Sequence, residues 1–109
     1  MRPSKRDDNE REIILALRIV GAKVQQLDGT GIPDLLVAYS GQLFLLEVKD
    51  PSKANGQASK RSSSKWPELT PAQVRWWSAW DAKCMPVIVR SPNDALAAVG
   101  APVRMKHGQ

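Results

Sequence analysis

Asp34-Leu35-Leu36-Val37-Ala38-Tyr39-Ser40-Gly41-Gln42-Leu43-Phe44-Leu45-Leu46-Glu47-Val48-Lys49 is the stretch that decides how this chain folds. Two apolar runs, Asp34 to Tyr39 and Gln42 to Lys49, flank Ser40-Gly41, and that pattern reads as a β-hairpin. A two-residue turn sets the register, with Tyr39 opposite Gln42, Val37 opposite Phe44, Leu36 opposite Leu45 and Asp34 opposite Glu47. Alternation then puts Leu36, Ala38, Leu45, Glu47 and Lys49 on the Asp34 face, and Leu35, Val37, Phe44, Leu46 and Val48 on the other. Both faces are apolar, so the hairpin is expected in the middle of a sheet covered on both sides. Facing residues have Cβ atoms roughly 4.5 to 5.5 Å apart and like charges there repel, so Asp34 and Glu47 call for a cation or a shared proton between them.

Upstream, Asp7-Asp8-Asn9 supplies good N-cap residues for a first helix running to about Gly21. Its apolar stripe is Ile13, Ala16, Leu17 and Val20, with Glu10 in line and Arg11 and Glu12 pointing elsewhere. A short strand, Lys23 to Leu27, and the turn-rich Asp28-Gly29-Thr30-Gly31 lead into the hairpin. Downstream, Asp50 to Leu69 is rich in Ser and Lys and reads as a mobile basic loop carrying Lys53, Lys60, Arg61 and Lys65. Thr70-Pro71-Ala72-Gln73 then has the capping-box pattern for a second helix to about Lys83. Gln73, Trp76, Trp77, Trp80 and Cys84 form one stripe on it. Met85 to Arg90 reads as a last strand, and Ser91-Pro92-Asn93-Asp94 caps a short helix to about Val99. The expectation is a single domain over residues 1–109, with its core at about 8–100 and a frayed C-terminal tail.

A chain of 109 residues suits one domain, and 42% apolar with 25% charged residues is a globular composition. No apolar run approaches the roughly 20 residues of a membrane span, and Asp7, Asp8, Glu10 and Glu12 argue against a signal peptide, so a cytoplasmic protein is expected. One cysteine, Cys84, and one histidine, His107, exclude an internal disulfide, a Cys/His zinc site and nucleases that need several imidazoles. The formal charge of +5 favours a polyanionic partner. What remains for chemistry is carboxylates and lysines. Two carboxylates suit Mg²⁺, which takes few protein ligands and completes its shell with water and phosphate oxygens. With Lys49 to orient a water or offset phosphate charge, Asp34 and Glu47 form a group suited to phosphodiester hydrolysis.

Gly31-Ile32-Pro33-Asp34 followed by Glu47-Val48-Lys49 resembles the Pro-Asp...(Asp/Glu)-x-Lys signature of the restriction-endonuclease-like superfamily. Glu10-Arg11-Glu12-Ile13, Gly31 to Val37 and Leu69-Thr70-Pro71-Ala72-Gln73 most resemble the virus-type replication-repair nuclease (VRR-NUC) domain, especially its small stand-alone phage and bacterial members. The resemblance covers about residues 10 to 96. It implies an αβββαβ core with a mixed central sheet, helices on both faces and a short C-terminal helix. It implies further a Mg²⁺- or Mn²⁺-dependent DNA endonuclease in a bacterial or phage-infected cell, acting as a homodimer on branched DNA such as Holliday junctions. By position, Asp34 and Glu47 match the family's metal ligands, joined by the Val48 carbonyl and by Glu10, the first-helix glutamate. Lys49 matches the catalytic lysine and Gln73 the second-helix glutamine. The connection from Lys49 to Thr70 is longer and more basic than in the tightest family members, which bears on substrate preference.

Each of these residues also has a plainer reading. Asp34 can be a turn acid, Glu47 and Lys49 a solvated strand end, Glu10 a partner of the helix dipole, and Gln73 a capping residue. The tryptophan stripe reads as core, or else as a base-stacking or dimer face. Trp66, beside Lys65, is better placed to touch nucleic acid. Arg90 reads as a strand-end charge and Cys84 as a small buried hydrophobe. Two other functions fit the same residues: this chemistry on flap, single-stranded or plain duplex DNA, and a non-catalytic DNA-binding module of nuclease-like fold. If Lys53, Lys60, Arg61 and Lys65 grip phosphates, replacing all four by alanine weakens DNA binding and flattens the slope of log K against log[salt] by about 3 to 4, measured by fluorescence anisotropy.

Overall fold

A computed structural model of the chain describes residues 5–50, 68–81 and 85–103. The elements are α1 (Lys5–Ile19), β1 (Lys23–Gln26), β2 (Leu35–Tyr39), β3 (Gln42–Val48), α2 (Pro71–Trp80), β4 (Val87–Val89) and α3 (Pro92–Val99). The strands form one mixed sheet in the order β1-β2-β3-β4, antiparallel except for β4, which runs parallel to β3. The fold is therefore mixed α/β, with the element order expected from the residue pattern.

The hairpin turns on Ser40 (φ 53°) and Gly41 (φ 82°). Two successive left-handed residues are what a type I′ turn needs, and its twist matches that of the flanking strands. The register follows as expected, from Tyr39 opposite Gln42 to Leu35 opposite Leu46. Leu35, Val37, Leu46 and Val48 face one side, and with Val24 and Val89 they pack against Ile13 and Leu17 of α1 and Ala95, Leu96 and Val99 of α3. This one cluster is the main core. α3 is set by Ser91, whose hydroxyl accepts from the Asp94 N–H, and by Pro92 in its first turn.

Four expectations need correction. α1 starts at Lys5, so Asp7-Asp8-Asn9 lies inside the helix instead of capping it, and it ends at Ile19, short of Gly21. α2 stops at Trp80 with Asp81 as C-cap, short of Lys83. β4 is only Val87–Val89, because Pro86 before it has no N–H and the Arg90 N–H after it goes to the Asp94 carboxylate at 2.9 Å. The sheet is also not covered equally on its two faces. Leu36, Ala38 and Leu45 are half-buried and Leu43 is 66% exposed, since α1 and α3 both lie on the other side.

The tryptophan stripe divides. Trp77 is buried, whereas Trp76 and Trp80 stack with ring centroids 4.9 Å apart and Trp80 remains 40% exposed. Arg90 is an ion-pair residue, its guanidinium held by Glu68. Lys53, Lys60, Arg61, Lys65, Trp66, Cys84 and His107 lie outside the described residues. Among the described residues no helix is long and apolar enough to cross a membrane.

Leu46 and Leu43 sit three residues apart on β3 in opposite environments. Leu46→Ala is expected to lower unfolding free energy by about 2 to 5 kcal/mol and Leu43→Ala by less than about 0.5 kcal/mol, read from urea denaturation curves.

Candidate active site

The ladder between β2 and β3 changes character one step beyond Leu35 and Leu46. The Asp34 N–H donates to the Leu46 carbonyl at 3.0 Å, and the Asp34 carboxylate turns onto the backbone of the facing strand, where Oδ2 accepts the Val48 N–H at 2.7 Å. Asp34 and Glu47 therefore do not confront each other as a bare like-charged rung. Part of the compensation expected from a cation or shared proton comes from a backbone donor, which is a strong, charge-assisted bond at this length.

Glu47 needs more, because it is 1% exposed. Taking a carboxylate out of water costs several kcal/mol unless opposite charge and hydrogen bonds meet it. Both do. Glu47 Oε2 accepts from Gln73 Nε2 at 2.7 Å and lies 3.6 Å from Lys49 Nζ. Lys49 is two residues along the same strand, so alternation brings its stem to the Glu47 side, and its ammonium donates to Gln73 Oε1 at 3.1 Å. A single amide thus clamps the acid with its NH₂ and the lysine with its carbonyl.

The same carbonyl also serves the helix. Gln73 Oε1 accepts the Thr70 N–H at 2.9 Å while Thr70 Oγ1 accepts the Gln73 N–H at 3.2 Å, the full capping box. Capping and site-forming are not alternatives for Gln73: the first holds its side chain in the rotamer that the second uses. The helix end is brought in by Gly31, whose φ is +83° and whose missing Cβ would fall 2.6 Å from the Ala72 carbonyl oxygen. Only glycine permits both that backbone conformation and that approach.

From the other side of the sheet, α1 reaches this strand end through Asn9. Its Nδ2 donates to the Lys49 carbonyl at 3.0 Å, and Lys49 N–H donates to the Val89 carbonyl at 3.0 Å. Glu10 occupies a different place. Its carboxylate accepts from Gln26 Nε2 at 3.0 Å, in a groove it lines with Arg11, Ile14, Leu15, Arg18 and Gln26. The helix thus ties to the Glu47–Lys49 segment through Asn9, the residue before the expected one. A signal for it was present: Asn9 is four residues before Ile13, on the buried stripe, and a polar residue on such a stripe needs a partner.

Asp34, Glu47, Lys49 and Gln73 are therefore brought together, Val48 joins them through its N–H, and Glu10 sits on the α1–β1 side. Among the described residues no three His, Cys, Asp or Glu side chains gather at one point. The donor set is two hard carboxylates beside an ammonium, which fits Mg²⁺ or Mn²⁺ better than a tetrahedral zinc centre. A carboxylate has about four lone-pair sites, so hydrogen bonding and ligation can share it.

No family model, curated protein or solved structure matches this chain.

Gly31→Ala is expected to push α2 away from the loop and loosen the Gln73 clamp, destabilising the fold by about 1 to 3 kcal/mol through the strained φ and the clash. Thermal unfolding followed by circular dichroism checks it, and an unchanged midpoint would refute the close-approach argument.

Proposed function

We propose that this chain is a metal-dependent nuclease that hydrolyses phosphodiester bonds in DNA, with a restriction-endonuclease-like fold of the VRR-NUC kind. The observation that carries the reading is the grouping of Asp34, a 1% exposed Glu47 and the Lys49 ammonium at one end of the hairpin, under the Gln73 amide. A solvated strand end would not bury its acid or enlist a residue from another element to hold it.

Asp34 and Glu47, with the Val48 carbonyl, would hold the ion. Bound Mg²⁺ or Mn²⁺ supplies Lewis acidity toward the phosphate and a more acidic bound water. The remaining work falls to this chain's own groups. Lys49 presents a positive charge beside Glu47, placed to orient a water or to offset charge that builds on the phosphate oxygens. Gln73 bridges the acid and the lysine and holds both at fixed positions, so that neither has to reorganise as charge develops. The formal +5 charge draws a polyanion to the surface. Branched DNA such as a Holliday junction needs two symmetric cuts, and a homodimer with one site per chain supplies them most simply. Glu10, which the VRR-NUC resemblance counts with the metal ligands, lines its groove beside Gln26.

The test is cleavage of a panel of junction, flap, single-stranded and duplex DNA, with Mg²⁺, with Mn²⁺ and with EDTA. Cleavage is expected only with metal, with the junction preferred. Glu47→Gln and Lys49→Ala should each lower the rate by about 10² to 10⁴, measured at a temperature where circular dichroism shows them folded, since Lys49→Ala also takes the lysine counter-charge from the buried Glu47 and lowers stability. A folded wild-type protein that binds these DNAs but cuts none of them would leave the non-catalytic binding module as the function.

A further inference from the structure

Asn9 is an oddity in α1. Asparagine is a poor residue inside a helix because its amide competes with the backbone for hydrogen bonds, and an amide buried without a partner is costly. Here it lies within the helix at 8% exposure and spends its amide on the Lys49 carbonyl, 40 residues away, at 3.0 Å. Asn9 and Glu47 are the two buried polar or charged residues among those described, and both act on the same three-residue strand end.

Lys49 is the first residue past the paired part of β3. Val48 is opposite Val89, and the Lys49 N–H still reaches the Val89 carbonyl, but among the described residues no further strand residue takes up the Lys49 carbonyl. The Asn9 amide does so. Lys49 is then held twice over: its peptide between α1 and β4, and its ammonium between Gln73 and Glu47. A lysine side chain has four rotatable carbons and settles where its Cα and its partners put it, so fixing the peptide fixes where the ammonium can go.

We propose that Asn9 is a positioning residue for Lys49: by holding the Lys49 peptide from α1 it sets the place of the ammonium relative to Glu47 and to the phosphate under attack. The proposal rests on the nuclease reading for its kinetic consequence, but its structural core does not. A donor is what the position requires. Asn9→Asp keeps the shape and replaces the donating NH₂ with an oxygen facing the Lys49 carbonyl. Asn9→Ala removes the amide without adding charge, and Asn9→Gln restores a donor on a longer stem.

Two measurements on the full chain decide it. The first needs no DNA: the ¹⁵N signal of the Lys49 ammonium in lysine-labelled protein, identified by its loss in Lys49→Arg. It is expected to shift or vanish through faster exchange in Asn9→Ala and to return in part in Asn9→Gln. The second is steady-state cleavage. In Asn9→Ala and Asn9→Asp, kcat is expected to fall about 10- to 100-fold with KM within twofold, at a temperature where circular dichroism shows the variants folded. Ile14→Val, which loosens the same helix without touching Lys49, should leave both readouts unchanged. A Lys49 signal in Asn9→Ala that matches wild type overturns the proposal, as does a kcat that falls only in step with the folded fraction. Should the wild type cut no DNA, the nuclease reading falls by itself, and the ammonium signal alone decides whether Asn9 positions Lys49.

Discussion

A carboxylate shut into the end of a sheet has to be met by charge and hydrogen bonds, and most of what is specific about this protein follows from Glu47. An ammonium about 4 Å away contributes roughly 4 kcal/mol at an effective dielectric of 20, which offsets desolvation only when hydrogen bonds complete the environment. Lys49 provides the charge from the same strand, and Gln73 provides the hydrogen bond from a helix more than twenty residues away. The attachment of α2 to this end of the sheet is thereby tied to the state of one acid. Leu69 and Trp77 are buried beside the capping segment and on α2, and neither belongs to the main core cluster, so the polar clamp joins α2 to the sheet at a point away from that core.

The second constraint is rigidity. Asp34 bonds to Val48, Lys49 to Val89, and Asn9 to Lys49, so two consecutive residues of one strand end, Val48 and Lys49, are tied to the residue that leads into β2, to β4 and to α1 through bonds of 2.7 to 3.0 Å. Groups mounted on paired strands hold their geometry better than groups on loops, and that is what preorganised electrostatics requires. The charges sit on the face of the sheet opposite α1 and α3, where Gln73 of α2 meets them. The close contact of Gly31 with Ala72 brings the start of α2 against the loop that leads to Asp34.

Local features were legible from the residues alone. Two apolar runs joined by a Ser-Gly turn set the hairpin and its register, because a two-residue turn fixes which residues of the strands stand opposite each other. Thr70-Pro71-Ala72-Gln73 marked the start of α2 because capping is a contact between residues three apart. Places where the reading slipped depended on distant partners. The bond from Asn9 to the Lys49 carbonyl is one, because helix phase against the sheet is set by packing, and a difference of one residue rotates a side chain by about 100°. β4 stops at Val89 rather than Arg90 because Asp94 takes the Arg90 N–H that a longer strand would use.

The sequence by itself therefore determined which residues can carry chemistry, in which order, and on which elements, since those follow from periodicity, turn chemistry and charge. Tertiary structure alone decided that Gln73 joins Lys49 to Glu47, that Asn9 holds the Lys49 peptide, and that Asp34 binds a backbone N–H before anything else. The reason is physical: a hydrogen bond is short-ranged, so its partner depends on how separate elements dock, and no spacing along the chain encodes that distance.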